Sequence, residues 1–154
     1  MAKRKSGAGD LHSENSVAYQ RGMTELHKQL GPMADAYIER IKKISPEFAW
    51  VNVTFPFGEL YTRDVVDLKT RELCTVAALT VQGFSLPELT IHIEAALRSG
   101  ASRTEVVEII TQMIAYCGFP AATNALLTAE TVFAKLDAAK VNPKKPRPRK
   151  AGKR

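Results

Sequence analysis

Long apolar runs are missing from this chain: no window approaches the roughly 18 to 20 consecutive apolar residues that cross a bilayer. Ser, Gly, Asp and His follow Lys3, Arg4 and Lys5 where a secretory leader needs an apolar stretch. A cytoplasmic location is therefore expected. Cysteine is scarce too, and Cys74 and Cys117 form neither a CxxC pair nor a ligand cluster. Buried free thiols are expected, with no structural disulfide. His12 and His27 supply no HxxxH spacing, so no metal site is expected. Asn-Gly and Asp-Gly turns are absent and alternating strand patterns nearly so, which leaves an all-α chain.

The formal charge of +6 suggests a nucleic-acid partner until the charges are located. Three basic residues precede Leu11 and eight run from Lys140 onward, leaving eleven of the 22 Lys and Arg against fifteen of the 16 Asp and Glu in between. The body is thus acidic, and the basic character belongs to the ends. Residues 1–12 and 140–154 read as disordered basic tails flanking one domain at 13–139, a usual single-domain length. "KVNPKKPRPRKAGKR" has like charges, three prolines and no aromatic ring, too little apolar surface to offset the entropy of ordering. Such tails suit nonspecific, salt-sensitive contact with nucleic acid, and a solubilising role explains them as well.

Helix punctuation is frequent. Ser45-Pro46-Glu47 places an N-cap before a first-turn proline, and Ser85…Glu88 and Ser102…Glu105 have capping-box spacing. Gly83 and Gly100 stand where helices end in the left-handed conformation. The pattern predicts helices near 14–30, 33–44, 47–54, 68–82, 86–99, 103–117 and 120–138, with "TFPFGELYTRD" as a long irregular loop carrying Glu59 and Arg63. Residues 103–117 are apolar over about half the circumference and 68–82 almost all round. One domain of this size has too few helices to cover both, so a homo-oligomer is expected.

Within "ELTIHIEAALRSG", Leu86, Leu89, Ile93 and Leu97 set the apolar centre, and His92 lies about 120° from it, at the border of the buried arc. Ile91 and Ala95 suggest a second packed face. Glu88 stands one turn before His92 at i, i+4, a spacing that lets a carboxylate orient an imidazole for general acid or base work. An ordinary surface ion pair has the same spacing. Trp50, Phe55, Phe57 and Tyr61 read mainly as packing residues.

"RELCTVAAL", "ELTIHIEAALRSG" with "TEVVEII", and "AYCGFPAATNAL" together resemble the carboxymuconolactone decarboxylase family, over roughly residues 20–135. The likeness is to its decarboxylase branch rather than its alkylhydroperoxidase branch. It implies an AhpD-like helical bundle that assembles into trimeric or hexameric rings, with active sites close to subunit contacts. Peroxidase members carry a glutamate, eleven residues, CxxC, three residues and a histidine. Counted from Glu72, the cysteine positions fall here on Phe84 and Pro87, and the histidine comes one place late at His92.

The resemblance implies a decarboxylase of 4-carboxymuconolactone or a related lactone acid in aromatic catabolism. Such a substrate is its own electron sink, so no cofactor is expected. On this reading His92, Glu88 and Glu59 are the candidate catalytic residues, and Arg63 and Arg71 the candidates for binding substrate carboxylates. The alternatives are a thiol peroxidase and a non-catalytic oligomeric binding protein.

Overall fold

The computed structural model describes residues 12–141. Most of both expected tails lies outside the described residues. His12, read as the end of the first tail, packs edge-on to Trp50 at 4.8 Å, and the last helix continues to Val141.

Among the described residues every regular element is a helix. It runs α1 (Val17–Leu30), a 3-10 turn (Gly31–Met33), α2 (Ala34–Lys42), α3 (Pro46–Asn52), a π-helical segment (Val53–Leu60), α4 (Leu68–Gln82), α5 (Leu86–Arg98), α6 (Arg103–Gln112) and α7 (Ile114–Val141). This is the all-α, AhpD-like bundle expected from the sequence.

Several boundaries follow from capping chemistry. The side chains of Ser16, Ser45 and Asp67 accept backbone N–H groups at the starts of α1, α3 and α4. Ser102 and Glu105 form the reciprocal box at α6, with the Ser102 N–H donating to Glu105 at 2.7 Å and the Glu105 N–H to Ser102 Oγ at 3.1 Å. The Ser85 box does not form. Pro87 removes one donor, Ser85 has ψ 48° rather than an extended value, and its hydroxyl donates to Gln82 Oε1 at 2.7 Å. Helix 103–117 also ends early, at Gln112, and α7 is broken at Gly118, whose φ of 73° and ψ of 173° no helical residue adopts.

The Ser102 N–H, followed by the Lys69 ammonium, holds the Glu105 carboxyl down to about 2. A carboxyl titrating lower in the folded chain than in the unfolded one stabilises the fold above its ordinary range. That contribution is lost as pH falls between about 5 and 2. The destabilisation by Glu105→Gln is therefore expected to be present in denaturant melts at pH 6 and gone by pH 2.

The expected loop after α3 is the largest departure. Pro56 has no N–H to give the Asn52 carbonyl, so the α register fails, and the chain continues with i→i+5 bonds such as Tyr61 N–H to Pro56 O at 2.8 Å. This segment packs closely on α1 through two glycines. A Cβ on Gly22 would lie 2.3 Å from the Val53 carbonyl oxygen, and one on Gly58 2.5 Å from that of Ala18.

Two apolar clusters result. Val76, Leu89, Ile93, Val106, Ile110 and Ala129 join α4 to α7, while Leu26, Ala34, Ile38, Ala49 and Val53 join α1, α2, α3 and the π-helical segment. Helix α5 lies between them: Leu89 and Ile93 enter the first, Ile91 packs against the second, and Ala95 is fully buried. The second packed face read from Ile91 and Ala95 is present. The outer side of α4 is not covered, and Val81 and Phe84 are exposed at its end, as are Tyr116 and Phe119 near the α7 break. For that reason Cys74 is exposed rather than buried, while Cys117 is half-buried and its thiol donates to the Met113 carbonyl at 3.1 Å.

Candidate active site

The inward face of α4 carries Glu72, Val76 and Thr80, four residues apart and each at most 1 % exposed. A valine in that place needs no explanation, but a fully buried carboxylate does, because an ion stripped of water costs several kcal/mol unless compensated. The compensation comes from α5. His92 Nδ1 lies 2.8 Å from Glu72 Oε2.

Glu72 as a carboxylate only accepts, so His92 Nδ1 carries the hydrogen and Nε2 is left for other chemistry. Nε2 has no hydrogen-bond partner among the described residues, and the His92 side chain is 21 % exposed. With one ring proton the open nitrogen is a base. With two it is an acid, stabilised by the carboxylate behind it.

The carboxylate behind His92 is therefore Glu72, not the expected Glu88. Glu88 is exposed, and its charge acts instead on Tyr37, whose phenol is raised first by burial and further by Glu88. The i, i+4 spacing permits a Glu88–His92 contact, but attraction to a buried carboxylate is less weakened by solvent than attraction to an exposed one. Two signals in the sequence mark Glu72. It takes the glutamate place of the peroxidase pattern, and it shares a helical stripe with Val76 and Thr80.

None of the remaining candidates bonds to His92. Glu59 is on the surface, 3.6 Å from Arg21 of α1, with both side chains more than half exposed. Arg71 does not pair with Asp67, which caps Thr70; its Nε donates to Val66 O at 3.0 Å and one Nη to Arg63 O at 3.2 Å. It fastens the turn ahead of α4 and keeps further N–H groups. Arg63 is exposed in that turn.

Tyr61, read from sequence as packing, does reach the site. Its hydroxyl lies 3.0 Å from Thr75 Oγ1, one turn after Glu72 on α4, and its ring packs on Phe57 at 5.6 Å. Burial raises its phenol, and the nearby Glu72 charge raises it further. No cluster of His, Cys, Asp and Glu suited to a metal ion occurs among the described residues, and no described helix is long and apolar enough to cross a membrane.

Comparison with known proteins places these residues in context. The chain is 34% identical over 115 residues to an uncharacterized 15.0 kDa protein from the nqo9-nqo10 intergenic region of Paracoccus denitrificans, covering 73% of this chain and 86% of that protein. It is 31% identical over 127 residues to a 4-carboxymuconolactone decarboxylase of Acinetobacter baylyi, covering 80% of this chain and 94% of the relative. The model of the carboxymuconolactone decarboxylase family matches residues 46–131, a span that contains both Glu72 and His92. This chain belongs to the carboxymuconolactone decarboxylase family.

Proposed function

We propose that the protein is a cofactor-independent decarboxylase of 4-carboxymuconolactone or a closely related lactone acid, with His92 as its proton donor. The observation that carries this reading is the Glu72–His92 pair, which fixes one ring nitrogen on a buried carboxylate and leaves the other open. The named relative from Acinetobacter supports the substrate class.

In this reaction the bond between the γ-carbon and its carboxylate breaks, and CO₂ leaves. The bonding pair moves through the ring double bond into the lactone carbonyl, giving a dienolate. One proton then returns to carbon from His92 Nε2, while Nδ1 keeps its hydrogen bond to Glu72. The chain's task is to hold the substrate carboxylates, favour the dienolate and deliver that proton. The remaining N–H groups of Arg71, with Arg63 beside it, are the proposed carboxylate contacts. Glu88 and Glu59 have no part in this mechanism, since they face Tyr37 and Arg21.

We also propose that a second copy covers the exposed Phe84, Tyr116 and Phe119, which are 70–80 % exposed in the single chain. Light scattering at micromolar concentration is expected to give a multiple of 16.9 kDa, and a monomeric mass would overturn this part. Incubating the purified protein with 4-carboxymuconolactone is expected to release CO₂ and remove the substrate's absorbance. No turnover of that lactone or its near relatives would overturn the reaction.

A further inference from the structure

One oxygen of Glu72 is unaccounted for. Oε2 is taken by His92, whereas Oε1 is fully buried with no hydrogen-bond partner among the described residues. A buried carboxylate oxygen without a donor is costly, so the groups around it bear on what fills that role.

The neighbouring hydroxyls can be ordered by counting hydrogens. Thr75 Oγ1 donates its one hydrogen to the Arg71 carbonyl at 3.0 Å. The 3.0 Å contact between Tyr61 and Thr75 must then run from the Tyr61 O–H to Thr75 Oγ1. The phenol oxygen is left with lone pairs only, on a ring fixed against Phe57. Thr75 follows Glu72 by three residues, a spacing that makes them neighbours on the helix surface. The Glu72 charge reaches the Tyr61 phenol, so the phenol oxygen and Oε1 are two neighbouring acceptors that a single donor can serve.

We propose that Tyr61 and Thr75 are positioning residues that hold one hydrogen-bond donor, a water molecule in the free protein, between the Tyr61 oxygen and Glu72 Oε1. In doing so they set how tightly the Glu72–His92 pair keeps its proton. This rests on the reading of Glu72 and His92 as the proton-handling pair. Of the other charged groups, Arg71 also acts on the Tyr61 phenol while bonding the backbone ahead of α4, and the Lys69–Glu105 pair joins α4 to α6 one turn away. On α5, Glu88 acts on Tyr37 and Glu94 is held by Arg98 and Lys135. Cys74, on the exposed side of α4, acts on the Tyr61 phenol from outside, and α7 turns uncharged Ala125, Ala129 and Val132 to the core.

The test needs no substrate. In the full-length protein labelled with ¹⁵N-histidine, the ring signals of His92, assigned by their loss in His92→Gln, are followed against pH. Tyr61→Phe keeps the ring and removes the oxygen, so its His92 titration is expected to move to higher pH by about half a unit or more, because a carboxylate with one donor fewer binds protons more tightly. Thr75→Val, which removes the acceptor that orients the phenol, is expected to move it the same way, and Thr75→Ser to restore it.

Curves for Tyr61→Phe and Thr75→Val that coincide with the wild type would overturn the proposal. If Tyr61→Phe fails to fold, Thr75→Val against Thr75→Ser decides it alone. A wild type that leaves the lactone untouched while these titrations separate would remove the proposed reaction and support the inference. An active enzyme with coincident titrations would do the reverse.

Discussion

His92→Gln is expected to lower kcat/KM on the lactone acid by roughly 10²- to 10⁴-fold, about 3–5 kcal/mol of transition-state stabilisation. Glutamine is the informative replacement because its amide can still donate to Glu72. Alanine would leave the Glu72 carboxylate buried and unpaired, a loss of about 3–5 kcal/mol in stability that would blur any kinetic reading. Circular dichroism and denaturant melts close to those of the wild type are expected for His92→Gln, so that a fall in rate belongs to the proton and not to the fold.

Glu72→Gln is the companion variant. It keeps the shape of the side chain and removes the carboxylate that fixes His92 Nδ1, so the activity is expected to fall while the fold is retained. Glu88→Gln and Glu59→Gln are expected to stay within about twofold of the wild type, in line with the small effect of surface charges. Equal losses in Glu88→Gln and His92→Gln would show that α5 supplies both members of the pair and would remove Glu72 from the mechanism.

The second large effect is structural. Gly22→Ala is expected to destabilise the fold by about 3 kcal/mol, with Tm lower by roughly 10 °C. The new methyl would lie 2.3 Å from the Val53 carbonyl oxygen and 2.8 Å from a Val53 side-chain carbon. A carbonyl in a hydrogen-bonded segment cannot swing aside as the end of a flexible side chain can, so α1 and the π-helical segment must separate. Gly58→Ala is expected to behave in the same way against the Ala18 carbonyl at 2.5 Å. Gly100→Ala is the control, because a Cβ there meets nothing within 4 Å and the φ of 96° alone carries the cost. Urea melts of the three variants separate packing from backbone strain, and a Gly22→Ala melt matching the wild type would show that the two elements can part without loss.

Most of the fold was legible in the sequence because the signals that specify it are local. Ser45, Ser102 and Gly83 act within a few residues of themselves, so their spacing is enough to mark the ends of α3, α6 and α4. Where two local signals compete, spacing misleads: Ser85 has the right partner at Glu88, but Pro87 and Gln82 redirect its hydroxyl. The π-helical segment was read as a loop because an i→i+5 helix has neither the strand nor the α-helical period, and its packing depends on glycines more than thirty residues apart in the chain.

By itself, the sequence determined the helical class, the acidic body between basic ends, the absence of a CxxC centre, the family, and the place of His92 at the border of its helix's buried face. Only the tertiary structure decided what stands behind that histidine. Glu88 is four residues away along one helix and Glu72 is twenty residues away on another, so local periodicity favoured the former. The packing of α4 on α5 favours the latter, since a carboxylate buried there finds its compensating partner in His92 and nowhere else among the described residues.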